Sequence, residues 1–194
     1  MKERVIVDID GVLCNMQPKL TTFVNEETDL KLSVKSITRE LMESKGTSYE
    51  EATKRFLNNP TLVFACPPYK RALEGIKILK DSGAKIHVIS SRKELLHQVT
   101  HDWLEKHGFA QFIDEIHPRS SEFKGYEFKL YIAQKIGSKA AFDDTAEVIE
   151  KFTQNGIFVY VIDQLWNRDI DIVSNFKRFK SFFNASLNYS KTHA

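Results

Sequence analysis

The chain predicts a doubly wound, Rossmann-like α/β fold: a parallel sheet of order 3-2-1-4-5 with a small helical cap inserted after the first strand. Three observations predict it. Short β-branched runs alternate with stretches whose apolar residues recur at helical spacing, which implies parallel pairing and right-handed crossovers. Two of those runs end directly in acidic pairs, where such sheets gather their ligands. Repeats and low-complexity tracts are missing, which removes solenoids, propellers and flexible linkers.

The first strand is expected over 4–9 and the second over 85–90, both β-branched runs. Between them Ala72, Leu73, Ile76 and Leu79 fall at helical spacing, which predicts an amphipathic helix over 71–82, closed by Gly83. Leu96, Val99, Trp103 and Leu104 predict the next helix over 94–107, with Gly108 at its end. Strands then follow at 112–116, 139–142 and 157–162, separated by helices at 126–136 and 145–155. Near the carboxyl terminus Val173, Phe176, Phe179 and Phe183 are spaced as one face of a helix packed on the sheet.

The segment 15–69 breaks the alternation, because a crossover needs far fewer residues. Residues 33–45 look helical, and Ser48-Tyr49-Glu50-Glu51 matches a capping box opening a second helix that ends near Asn58-Asn59-Pro60. We read 1–14 and 70–194 as the α/β core and 15–69 as a helical cap standing over the carboxyl end of the first strand.

Composition narrows the function classes. With 42% hydrophobic and 28% charged residues the chain is ordinary for a globular protein, and its net charge of +2 is too small for one that coats nucleic acid. Cys14 and Cys66 cannot form a disulfide scaffold and fit no zinc-ligand spacing, so a reducing, cytoplasmic setting is expected. No window reaches the length of a membrane span. A small phosphorylated molecule remains the natural partner, with no stable nucleic-acid or membrane partner expected and a homo-oligomer open.

Asp8 and Asp10 end the first strand and lie two residues apart, so both can face one pocket while Gly11 lets the chain turn away. Asp143-Asp144 follow another apolar run, although Asp144 or Thr145 also suits a helix cap. The order 3-2-1-4-5 sets the first and fourth strands side by side, bringing Asp143 close to Asp8 and Asp10. Converging oxygen ligands with spare positions suit Mg²⁺, which keeps waters and shares phosphate oxygens. Ser90, Ser91 and Arg92 end the second strand, where hydroxyl, amide and guanidinium donors can hold a phosphate. Lys124 and Lys129 compete to supply a further positive charge.

In this order the motifs resemble the haloacid dehalogenase-like phosphohydrolase superfamily. Asp8-Ile9-Asp10-Gly11-Val12, Ser90, Lys129 and Asp143-Asp144 stand where that superfamily has Asp-x-Asp-Gly-[Thr/Val], a Ser or Thr, a Lys and an acidic pair. A narrower likeness is to its deoxyribonucleotidase-like and bacterial nucleotidase branch. Ser90-Ser91-Arg92 looks like that branch's Thr-Ala-Arg, and Asp163-Gln164-Leu165-Trp166-Asn167 like its Asp-x-Pro-[Trp/Tyr]-Asn, with Leu165 in place of the proline.

The resemblance implies an Mg²⁺-dependent phosphomonoesterase acting on a nucleoside monophosphate. It implies Asp8 as nucleophile through an aspartyl-phosphate, Asp10 as general acid and base, and Asp8, Asp10, Asp143 and Asp144 around the metal. Ser90 and Lys129 would hold the phosphoryl oxygens, with Ser91 and Arg92 beside them. Phe23, Phe56, Phe64 and Tyr69 of the cap are candidates to stack on a base or to form the cap's own core. The alternatives are another small phosphate ester, a polynucleotide end tracked by the basic carboxyl-terminal stretch, or a weakly active phosphate-binding protein.

Overall fold

The computed structural model describes residues 2–34, 37, 39–119, 122–170 and 174–193. Among them six parallel strands form one sheet: β1 (Arg4–Val7), β2 (Lys85–Ile89), β3 (Glu115–His117), β4 (Ala140–Asp143), β5 (Phe158–Ile162) and β6 (Phe176–Phe179). Their order is β3-β2-β1-β4-β5-β6, so the expected 3-2-1-4-5 arrangement gains one edge strand. Alternation along each strand divides the core in two. Val5, Val7, Phe142 and Tyr160 pack with α5 (Ala72–Asp81), α6 (His97–Lys106) and α9 (Phe182–His193). Ile6, Ala141, Val159 and Val161 pack with α7 (Gly125–Ile136) and α8 (Ala146–Gln154). Each fully buried Val, Ile or Phe contributes about 1.5–3 kcal/mol relative to exposure. Gly75 lets α5 and α9 approach closely, because a Cβ there would lie 2.8 Å from Phe182 Cδ1.

Among the described residues four helices lie between β1 and α5: α1 (Gln17–Glu27), α2 (Arg39–Ser44), α3 (Tyr49–Leu57) and α4 (Pro60–Phe64). Ser48 caps α3 by accepting from the Glu51 amide, and Asn59 caps α4, whose first residue is Pro60. Their contacts are apolar, with Leu20, Val24, Met42, Phe56 and Val63 buried. The outgoing and returning chains are tied side by side: the Asn15 amide donates to Pro67 O and the Tyr69 amide to Leu13 O, both at 2.8 Å. Cys14 and Cys66 sit on these two tethers as free, buried thiols. Parts of the expected 33–45 helix lie outside the described residues.

Two expectations are corrected. The third strand is Glu115–His117 rather than 112–116, because Ala110–Phe112 forms a 3₁₀ turn and pairing begins only where Glu115 meets His87. At the carboxyl terminus Phe176 and Phe179 belong to β6, not to a helix, and α9 starts later at Phe182. Residues three apart point to opposite faces of a strand, so Phe176 packs with the α7–α8 layer and Phe179 with the other. Val173 lies outside the described residues.

Candidate active site

Strand pairing assembles the acidic cluster. Val7 is in register with Phe142, and the Asp8 amide continues the ladder by donating to Phe142 O at 3.0 Å. Asp8 therefore stands beside Asp143, and carboxylate oxygens of Asp8, Asp143 and Asp144 lie within 4.8 Å of one another. Lys129, buried on α7, reaches between them, its Nζ 2.8 Å from Asp8 Oδ2 and 2.7 Å from Asp143 Oδ2. Lys124 instead starts α7 as an exposed residue, its amide donating to Glu127.

Thr145 holds the N-cap position of α8 without a side-chain cap, and Asp143 Oδ1 instead braces the turn before the helix by accepting from the Asp144 and Thr145 amides at 2.9 Å each. Asp144 Oδ2 accepts from Trp166 Nε1 at 2.8 Å, while Asp144 Oδ1 is buried with no partner. Asn167 fixes the backbone beneath this contact by donating to Asp144 O at 2.7 Å and Ile162 O at 2.9 Å. Gly11, at φ +86°, presses on the same carboxyl group: a Cβ would fall 2.1 Å from Asp144 Oδ2.

Burial pushes the Asp8 carboxyl up to about 7, Lys129 opposing the shift and Asp143 reinforcing it. Burial, then Asp143 and Asp8, push Asp144 well above the usual carboxylate range. Burial disfavours the Lys129 ammonium, yet the Asp143 and Asp8 carboxylates outweigh it and hold Lys129 protonated. With all three carboxyl groups ionised the cluster would carry an excess of negative charge over its one ammonium, and Asp144 Oδ1 lacks a donor. That oxygen-only set fits a hard divalent cation.

Asp10 stands apart from the cluster. Its Oδ2 accepts from Arg92 Nε at 2.8 Å and its Oδ1 from Arg92 Nη2 at 2.6 Å. Arg92 also donates to Thr100 Oγ1 at 3.1 Å, and Ser90 Oγ accepts from the Arg92 amide at 3.2 Å. Ser91 and Arg92 line a cleft of about 560 Å³ together with Asp8, Asp10 and Asp144, whereas Ser90 lines a smaller cavity behind Arg92.

The family model of the 5′ nucleotidase, deoxy (pyrimidine), cytosolic type C proteins matches residues 2–186. The chain belongs to this family. This nucleotidase-family chain is a haloacid dehalogenase-like phosphoric monoester hydrolase. No curated protein matches it. Among solved structures it is similar to a haloacid dehalogenase-like hydrolase from Streptococcus pneumoniae, with a TM-score of 0.69 and 13% identity over 100% of this chain and 99% of that one. It is also similar to a protein from Clostridium acetobutylicum described as a predicted phosphatase, with a TM-score of 0.69 and 15% identity over 98% and 99% of the two chains. A protein from Haemophilus somnus described as a predicted phosphoglycolate phosphatase matches with a TM-score of 0.66 and 15% identity over 97% and 98% of the two chains. At these identities the structures establish a shared fold.

Of Phe23, Phe56, Phe64 and Tyr69, expected as candidates to stack on a base, Tyr69 alone lines this cleft. Phe56 is buried edge-on against Phe23 in the interior of the helical segment, and Phe64 lies beneath Lys106. Tyr49 and Trp166 line the cleft as well. Trp166 belongs to a motif legible in the sequence, but its contact with Asp144 was not. Gln164 braces the entrance by donating to Gly11 O at 2.6 Å and to the Tyr69 hydroxyl at 3.0 Å. No helix among the described residues is long and apolar enough to cross a membrane.

Proposed function

We propose that this phosphatase is an Mg²⁺-dependent 5′-nucleotidase that hydrolyses nucleoside monophosphates through a phosphorylated Asp8. The observation that carries the reading is the buried Asp8–Lys129–Asp143 cluster at the end of the central strand, with Asp144 Oδ1 unpaired beside it. An Asp8 oxygen attacks phosphorus, the bond to the leaving nucleoside oxygen breaks, and an aspartyl-phosphate forms. Water then attacks phosphorus, releasing phosphate and restoring the carboxylate. Lys129 offsets the charge of Asp8 against the incoming phosphate, and Ser91 and Arg92, which line the same cleft, supply donors, whereas Ser90 faces the neighbouring cavity and would have to turn to join them. Asp8, Asp143, Asp144 and the Asp10 backbone carbonyl would hold Mg²⁺, which when bound neutralises phosphoryl oxygens.

Asp10 acts as general acid and base in this reading, and both its oxygens are engaged by Arg92. One of them must leave the guanidinium before Asp10 can protonate the leaving oxygen and later take a proton from water. Segment 15–69 serves as the cap that selects the leaving group. Tyr49, Tyr69 and Trp166 offer ring faces in the cleft, while Gln17 Oε1 and Thr53 Oγ1 of lining residues are buried without partners. A nucleoside supplies both a flat ring and hydrogen-bonding edges.

The test is phosphate release from a panel of nucleoside monophosphates and sugar phosphates, with Mg²⁺ and with a chelator. The expected result is turnover that requires the metal and favours the nucleotides. Equal turnover of sugar phosphates and nucleotides would overturn the substrate reading, and undiminished turnover under chelation would overturn the metal.

A further inference from the structure

The catalytic cleft continues past Arg92. A groove of about 440 Å³ shares Tyr49, Thr53, Leu57, Ser91 and Arg92 with the cleft, running along α3 and the loop after β2. Arg119, two residues beyond β3, lines it as well. A further cavity of about 360 Å³ behind Arg92 also includes Arg119, so this residue stands at the junction of both spaces.

The sign of charge reverses along this path. The cleft carries Asp8, Asp10, Asp144, Glu147 and Asp169 against Arg92. The groove carries Lys54, Lys93 and Arg119 beside Arg92, with Glu50 as its acidic residue. Arg92 is already neutralised by Asp10. Arg119 is not: it is half-buried, pairs with no carboxylate among the described residues, and its Nε is buried without a hydrogen-bond partner. A partly desolvated guanidinium left unsatisfied is costly, and an anion supplied by a ligand would offset that cost.

Sheet geometry sets the distance. β1 and β3 are separated by β2, so β3, which ends two residues before Arg119, lies two strand spacings, about 10 Å, from β1, which ends directly before Asp8. That interval is comparable to the span of a small phosphorylated ligand, so one whose scissile phosphate sits at Asp8 can extend along the shared residues of cleft and groove to Arg119.

We propose that Arg119 binds a second phosphate carried by the leaving group, so that the preferred substrate is a nucleoside bisphosphate rather than a monophosphate. The proposal rests on the nucleotidase reading and narrows it. A small bisphosphate is favoured over a polynucleotide end because the cations are confined to one short groove and the whole chain carries a net charge of only +2.

The experiment compares thymidine 5′-monophosphate with thymidine 3′,5′-bisphosphate in the full chain with Mg²⁺, together with Arg119→Ala and Arg119→Lys. The wild-type KM should be at least about tenfold lower for the bisphosphate, the effect of one charge-assisted hydrogen bond. Arg119→Ala should erase that gap without changing kcat or the monophosphate KM, and Arg119→Lys should restore part of it. Should Arg119→Ala fail to fold, the wild-type chain still decides: added salt must raise the bisphosphate KM more steeply than the monophosphate KM.

Equal KM values for the two substrates would overturn the proposal and leave the nucleotidase reading standing. A preference that survives in Arg119→Ala would overturn the assignment to Arg119. Stronger preference for a 5′-phosphorylated decanucleotide would replace the small substrate by a polynucleotide end. Hydrolysis of p-nitrophenyl phosphate but of no nucleotide would remove the nucleotidase reading and this proposal with it.

Discussion

Asp10 gives both carboxylate oxygens to the guanidinium of Arg92, at 2.6 and 2.8 Å, in a fork that no other acidic residue of the cleft forms among the described residues. Arg92 is buried, and the opposing charge of Asp10 outweighs the cost of burying its cation. The pair ties the loop after β1 to the loop after β2, beside the cleft that Asp8, Asp10 and Asp144 line.

Removing the guanidinium should therefore cost stability as well as turnover. Arg92→Ala leaves Asp10 without its partner, and breaking a buried pair from one side costs about 3–5 kcal/mol. Urea denaturation measures this directly, and a loss below about 1 kcal/mol would show that the fork is not structural. Arg92→Lys keeps the charge but not the two-pronged geometry, so it should recover only part of the loss.

A second prediction separates the two lysines. Lys129 is buried between Asp8 and Asp143, whereas Lys124 is exposed at the start of α7. Lys129→Met should lose most turnover and destabilise the fold, because the Asp8 and Asp143 carboxylates then face each other without a cation. Lys124→Met should leave both unchanged. Asp8→Asn should lower the rate on the order of a thousandfold while the chain stays folded. If Lys124→Met is the more damaging lysine variant, the assignment reverses.

The contrast between the lysines shows what the sequence carries and where it stops. Alternating runs and the position of Asp8 and Asp143 after strands are local patterns, and strand order turned them into a contact. Which lysine reaches that contact depends on the direction of a side chain from α7, which no spacing encodes. The same limit hid Asp10's partner: Arg92 lies 82 residues away, and the sequence shows only that both end strands. The β6 strand was missed because Phe176 and Phe179, three apart, fit a helical face as well as two opposite faces of an edge strand. Tertiary packing decided between them.

Gly11 provides a third test. Its backbone at φ +86° and its contact with Asp144 leave no room for a Cβ. Gly11→Ala must either displace the Asp144 carboxyl or change the turn that follows Asp10. Turnover should fall at least about tenfold, with a higher Mg²⁺ concentration needed for half-maximal rate. An unchanged metal requirement in a folded variant would separate Asp144 from the cation.

The last prediction concerns pH and lies away from the cleft, on the β2–β3 edge of the sheet. His87 and His117 meet head to head, His87 Nδ1 3.0 Å from His117 Nε2 with ring centroids 5.3 Å apart, so the facing nitrogens have room for one proton between them. His87 Nε2 is buried without a partner, so a cationic ring would carry an N–H with no acceptor. Burial lowers His87 and His117 below the ordinary value of 6.5; His117 adds to the shift on His87, and Glu115 opposes it on both. The sign follows from proton counting: below 6.5 the unfolded chain binds protons that the folded chain resists, so this stability is present above 6.5 and is lost as pH falls through the folded values. Thermal unfolding followed from pH 8 down to about pH 5 should show the midpoint falling below about pH 6.5. His87→Leu removes one titrating ring and relieves the other of its partner, so the fall should become shallower. A wild-type midpoint that stays flat over that range, or an unchanged slope in His87→Leu, would show that the pair does not set the acid limb.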